Sequence, residues 1–433
     1  MRLKHSNIKT SYIISKIYFL AGILIKLRPQ LFTAKAEIKI PPTSRLEQQV
    51  PKQILVDISN IIRGDNKTGI QRVVRAIIEH LSKNTPIGYE VKLVFATKKF
   101  GFRYAPKDFL STVTKSELSQ ANLVRCRPGD IFFGLDLNAN LLPRYIAQLV
   151  HWRKKGVVMA ILIYDLLPEL HPDWFNEITT KQFNNWLKLI TPIADRLIFI
   201  SDSVIDEYKT WFQDHAINHL NSPVLRRIRL GADIEKSMPS SGIPDNTSRF
   251  LEIIGDNKKI LMVGTIEPRK GQQEVLEAFN AMWSSGNSAI LIYVGRKGWK
   301  TGELQKSIIE HPLLNNKLFW FENASDEFLG ILYKLCDGVI VNSKGEGLGL
   351  PLIEAQYNGK PLLVRDIPVF REISNSSVTF FKNQNEKPSK IEVETWMNSF
   401  SEGEESSRFT MKNTWVNCAK DVVNALGIIA NGK

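Results

Sequence analysis

The feature that most constrains this chain is its rhythm: short apolar runs separated by amphipathic helical stretches, begun once near residue 54 and begun again near residue 260. The runs ILVDIS (54–59), EVKLVFA (90–96), DIFFGLD (130–136), VVMAILIYD (157–165), RLIFIS (196–201) and LRRIRLG (225–231) read as strands of a first unit. Most are continuously apolar rather than alternating, as strands covered on both faces of a parallel sheet are. Between the first two, Ile70, Val73, Val74, Ile77, Ile78 and Leu81 form a stripe with helical spacing. ILMVGTI (260–266), AILIYVG (289–295), LFWFEN (318–323), GVIVNS (338–343) and PLLVRD (361–366) repeat the pattern with helices between them. Ser325, followed by Asp326 and Glu327, reads as a helix N-cap with acidic residues in the first turn.

The expectation is an α/β protein of two doubly wound, Rossmann-like domains facing a cleft. Its boundaries are a basic, apolar extension (1–50), a first domain (51–240), a second domain (255–410) and a C-terminal helix (411–433). Residues 234–257, rich in Pro, Gly, Ser, Asp and Asn, read as the linker. Ligands of open α/β sheets bind at the carboxyl ends of the strands, so both domains would turn binding loops toward the cleft.

Charge narrows the function classes. The chain carries +13 overall. Residues 1–52 hold ten Lys/Arg and two Asp/Glu, leaving a nearly balanced body that argues against nucleic acid as a partner. Within that tail, IYFLAGILI (17–25) is too short to span a bilayer, which takes roughly 20 residues. Residues 1–45 suit a peripheral contact with the anionic inner face of a membrane. They suit equally a helix packed on the body, or a disordered leader. Cys126, Cys336 and Cys418 are too scattered for a disulfide framework or a structural zinc site. His215 and His219 have i, i+4 spacing but lack the glutamate of a zinc-protease helix, and no Walker A or GxGxxG sequence follows a strand.

The segment 338–359 carries the chemistry. A strand ends near Ser343, a glycine-rich loop follows, and Pro351 sits where a helix begins, its missing N–H harmless there. The N–H groups of Gly347, Leu348, Gly349 and Leu350 are then orphan donors at a helix start, suited to a phosphate. Glu346 and Glu354 bracket this start. Carboxylates repel phosphates but accept from hydroxyls, so the layout suits ribose, diphosphate and hexose in series: a nucleotide sugar.

EGLGLPLIE (346–354) resembles the signature of the retaining GT-B glycosyltransferases of group 1, which include many bacterial polysaccharide mannosyltransferases. VGTIEPRKG (263–271), ADRLIFISDSV (194–204), RLGAD (229–233) and TGIQRVVR (68–75) are similar to further segments of that family. The resemblance covers about 50–420 and is stronger in the second half. It implies that Arg269 and Lys270 contact the diphosphate, after the glycine turn at Gly264. It implies that Glu346 contacts the donor sugar and Glu354 the ribose, with Gly347, Leu348, Gly349 and Leu350 as donor-binding backbone. Gly69 and Arg72 would lie on the acceptor side, although a solvated helix face is the plainer reading of Arg72. Many relatives carry His before Asp at the end of a first-domain strand; Tyr164-Asp165 stands there instead, with Asp165 a candidate catalytic group.

The functional expectation is a retaining hexosyltransferase moving mannose from GDP-mannose to a lipid-linked or surface polysaccharide at the cytoplasmic face of the membrane. No metal or cofactor is expected, since the nucleotide sugar is a substrate and the chain has no Asp-x-Asp. A nucleotide-sugar epimerase or sugar phosphorylase on the same fold, and a non-catalytic scaffold that binds sugar nucleotides, remain alternatives.

Overall fold

A computed structural model describes residues 50–106, 115–215, 222–381, 387–400 and 413–428. The basic segment 1–45 and His219 lie outside the described residues.

The first sheet has seven strands: β1 (Lys52–Asp57), β2 (Tyr89–Phe95), β3 (Arg103–Tyr104), β4 (Ile131–Gly134), β5 (Val158–Ile163), β6 (Arg196–Phe199) and β7 (Val224–Arg227). Their order is β3-β2-β1-β4-β5-β6-β7, parallel except for the short β3 at the edge. Ile54 stands opposite Val91 on one side and Ile131 on the other. Ile54 and Val56 join one core cluster while Leu55 joins another, so successive residues feed the two faces of the sheet. All three are fully buried, which is why the run is continuously apolar. Helix α1 (Gly69–Lys83) starts after Thr68, whose hydroxyl accepts from the Gln71 N–H at 3.3 Å within a capping box.

The second sheet is entirely parallel: β8 (Lys259–Val263), β9 (Ile290–Val294), β10 (Leu318–Phe321), β11 (Gly338–Val341), β12 (Leu362–Val364) and β13 (Val378–Phe380), ordered β10-β9-β8-β11-β12-β13. Five of these strands match the apolar runs. β13 escapes a pattern reading because it is three residues long, half exposed and at the sheet edge.

Two segments make contacts that the sequence reading did not describe. The polar stretch 234–257 contains a helix, Thr247–Ile254, whose Phe250 packs edge-on against Phe319 and Phe321 with ring centres 4.9 and 5.1 Å apart. Two buried anchors, Phe250 and Ile254, dock this eight-residue helix, half of whose residues are apolar. The C-terminal helix, Trp415–Ala425, returns to the first domain and lies against α1. There the Trp415 N–H donates to Asp233 at 2.9 Å and Arg229 pairs with Asp421 at 2.8 Å.

Candidate active site between the domains

In each sheet the strand order reverses beside its first strand, at β1/β4 and at β8/β11, and the segments after β1, β5 and β6 of the first sheet face those after β8, β9, β10 and β11 of the second. They enclose a cavity of about 400 Å³. Every residue singled out as a site candidate lines it: Gly69, Arg72, Tyr164, Asp165, Gly264, Arg269, Lys270, Glu346, Gly347, Leu348, Gly349, Leu350 and Glu354.

Helix α2 (Leu350–Tyr357) follows β11 across the glycine loop, with Pro351 in its first turn. Gly349 caps it at φ 99°, a left-handed conformation, and a Cβ there would come within 2.6 Å of Phe370. Gly347 is needed for a different reason. A Cβ on it would lie 1.9 Å from the Tyr164 carbonyl oxygen of the first domain. Its own carbonyl accepts from the Ser201 hydroxyl at 2.6 Å, and that hydroxyl also caps the helix after β6 by accepting from Val204 N–H. The glycine loop is thus seated on the ends of β5 and β6.

Glu346 holds the two basic residues of the β8 loop. Arg269 pairs with it at 2.9 Å and Lys270 donates to its other oxygen. Arg269 also pairs with Glu267 at 2.8 Å and donates to the Gly345 carbonyl at 2.8 Å. Burial by itself would raise the Glu346 carboxyl, but the two adjacent cations outweigh it and hold it down at about 2. Glu346 is therefore a carboxylate throughout the ordinary pH range, an acceptor and not an acid. Asp165 goes the other way: burial raises it, Arg269 opposing, while its Oδ1 accepts from Leu167 N–H at 3.1 Å. Tyr164 directs its hydroxyl to the Leu135 carbonyl at 2.9 Å, where it is fully used in packing.

The reading of Arg72 as a solvated helix face is corrected. Arg72 is only 9 % exposed. It donates to Glu354 and binds Asp326 through Nε at 2.9 Å and Nη2 at 2.7 Å. Helix α1 is sandwiched between its own sheet and the second domain, so the side opposite its apolar stripe is an interface. Glu354 also accepts from the Tyr333 hydroxyl at 2.9 Å. Asp326 takes Arg75 at 2.9 Å and the Ser240 N–H and hydroxyl at 2.9 Å. Gly69, one turn before Arg72, approaches Leu350 so closely that a Cβ would stand 3.2 Å from its Cδ1.

Sequence reasoning did not single out Asp326, Arg75, Tyr333, Glu267 or Trp299. Asp326 reads in the sequence only as a first-turn helix charge. Among the described residues no group of three or more His, Cys, Asp or Glu is placed to hold a metal ion.

Comparison with known proteins agrees with this geometry. Residues 245–409 match the glycosyl transferases group 1 family. The chain is 38% identical over 387 residues to the serotype-specific mannosyltransferase WbdA of Escherichia coli, covering 88% of this chain and 47% of that one. It is 25% identical over 229 residues to the O-antigen chain mannosyltransferase RfbU of Salmonella typhimurium, covering 53% and 58%. The chain thus spans about half the length of the curated relatives it matches. Among solved structures, a glycosyltransferase from Rickettsia africae superposes with a TM-score of 0.56 at 14% identity, over 88% of this chain and 100% of that one. Anabaena HepE, solved with UDP and glucose, superposes with a TM-score of 0.52 at 15% identity, over 86% and 94%. With two parallel-sheet domains closing on one cavity, the chain has the GT-B architecture, and its second domain is of the glycosyl transferases group 1 family.

Proposed function

We propose that this chain is a retaining mannosyltransferase that moves mannose from GDP-mannose to a lipid-linked or surface polysaccharide. The observation that carries this reading is the meeting of Arg269, Lys270, Glu346 and the start of α2 in one cavity between two sheets. The 38% identity to a mannosyltransferase supports the choice of sugar.

In this reading the leaving nucleoside diphosphate lies against Arg269, Lys270 and the N–H groups at the start of α2. Those N–H groups have no partner within the helix, and the helix dipole favours negative charge there. A preorganised donor of this kind is worth about 3–4 kcal/mol of transition-state stabilisation. Glu346, held ionised, accepts from hydroxyls of the donor sugar and keeps both cations in place until the phosphates arrive. Glu354 meets the ribose, exchanging its bond with Arg72 for ribose hydroxyls. The acceptor enters from the side of the first domain and attacks on the face from which the diphosphate leaves. No metal is required, because the cations are supplied by the protein.

No helix among the described residues is long and apolar enough to cross a membrane. Contact with the cytoplasmic membrane face would come through residues 1–45, and deleting them should abolish co-sedimentation with anionic liposomes; undiminished sedimentation removes that idea. The main test is a thermal-shift series across nucleotide sugars, followed by transfer from labelled GDP-mannose and NMR of the product anomer. GDP-mannose should raise the melting temperature by mass action. A shift with UDP-sugars only overturns the donor, and a β-linked product overturns retention.

A further inference from the structure

At the mouth of the cavity the two domains meet through aromatic side chains that the donor site does not use. The loop after β9 carries Trp299, which lines the cavity and stays 37 % exposed. Its indole N–H donates to the Trp174 carbonyl of the first domain at 2.7 Å, and Lys300 beside it donates to the Asp173 carbonyl at 2.6 Å. Phe175 leans on Trp299 with ring centres 5.9 Å apart, and His171 stacks on Trp174 at 4.0 Å. Trp174 in turn stands against Gly345, immediately before Glu346: a Cβ on that glycine would lie 2.8 Å from the indole. This band of rings offers Trp299 to the cavity, with Trp174 and Phe175 bracing it.

The chemistry around this band selects its occupant. In a chain of net charge +13, residues 156–180 contain no Lys or Arg and include Asp165, Glu169, Asp173 and Glu177. Aromatic rings with an electron-rich face take the weakly positive C–H face of a pyranose, and nearby carboxylates take its hydroxyls. We infer that Trp299, braced by Phe175 and Trp174, is the platform on which the neutral, polyhydroxylated end of an acceptor glycan stacks. The inference rests on the transferase reading for its direction, with the non-reducing end of the glycan facing Glu346.

The test uses the full chain with manno-oligosaccharides of one to five sugars as probes. Trp299→Ala removes the ring, and Trp299→Phe keeps a ring while losing the N–H bond. With donor saturating, Trp299→Ala should raise the acceptor KM about three- to tenfold, the scale of one aromatic contact, with GDP-mannose affinity unchanged and Trp299→Phe close to wild type. An unchanged acceptor KM, or equal weakening of GDP-mannose binding, overturns the platform. A second measurement needs no turnover: mannopentaose added alone should move the indole N–H resonance of Trp299, assigned by its loss in the Phe variant. If transfer fails but the resonance moves, the transferase reading falls and the platform stands. If transfer proceeds and the resonance is unmoved, the platform falls by itself.

Discussion

Replacing Gly347 by alanine tests how the two domains are brought together. The added Cβ would lie 1.9 Å from the Tyr164 carbonyl oxygen, whereas real Cβ contacts do not fall below 3.0 Å, so the two must separate by at least 1.1 Å (3.0 − 1.9). Neither partner is the movable end of a side chain; both are backbone, and they belong to different domains. Separation also stretches the bond from the Ser201 hydroxyl to the Gly347 carbonyl, now 2.6 Å. Opening the cleft relieves the clash without unfolding either sheet; it costs at least about 1 kcal/mol for the Ser201 bond, and more as the Arg72 pairs across the same interface lengthen. The reacting groups are displaced by about 1 Å, which lowers turnover roughly 100-fold. Initial rates at saturating donor and acceptor, beside hydrogen exchange of residues 164–167 and 346–349, measure both effects. Turnover within about threefold of wild type, with exchange unchanged, would refute the argument that this contact sets the site.

Arg269→Ala removes the cation between Glu346 and Glu267 and should lower kcat by about 100- to 1000-fold while leaving donor affinity less affected; an unchanged kcat ends its role toward the leaving group. Arg72→Ala strips a buried cation from Glu354 and Asp326, and should cost about 3–5 kcal/mol in chemical denaturation, because two carboxylates lose their shared partner. Stability within error of wild type would contradict the buried network. Asp57, at the end of β1, is raised to about 7, first by burial and then by Asp136, with the Ser59 and Asn138 bonds opposing. The folded chain then binds this proton more tightly than the unfolded chain, whose Asp titrates near about 4, so its contribution to stability falls as pH rises from about 4 to 7 and is level above. Asp57→Asn should flatten that slope relative to wild type. Identical slopes in pH-dependent melts would show that Asp57 does not titrate in this range.

The parts of this protein readable along the chain are those whose cause is local. Continuous apolar runs such as Ile54–Leu55–Val56 announce strands covered on both faces, and the stripe from Ile70 to Leu81 announces α1, because burial imposes its period on the sequence. Glycine-Pro punctuation at 345–351 announces a loop closing into a helix start. Glu346, Arg269 and Lys270 come within reach because loops after parallel strands of one sheet emerge at the same edge. What the residues could not declare is which partner a charge finds across the molecule. Arg72 and Glu354 stand 282 residues apart, and a charged residue on a helix looks the same in sequence whether water or another domain lies beyond it. The approach of Gly347 to Tyr164, the return of Trp415–Ala425 to the first domain and the meeting of Trp299 with Trp174 all depend on the docking of two separately folded sheets. That docking is governed by shape and by desolvated ion pairs between distant segments, so the tertiary structure alone decides it.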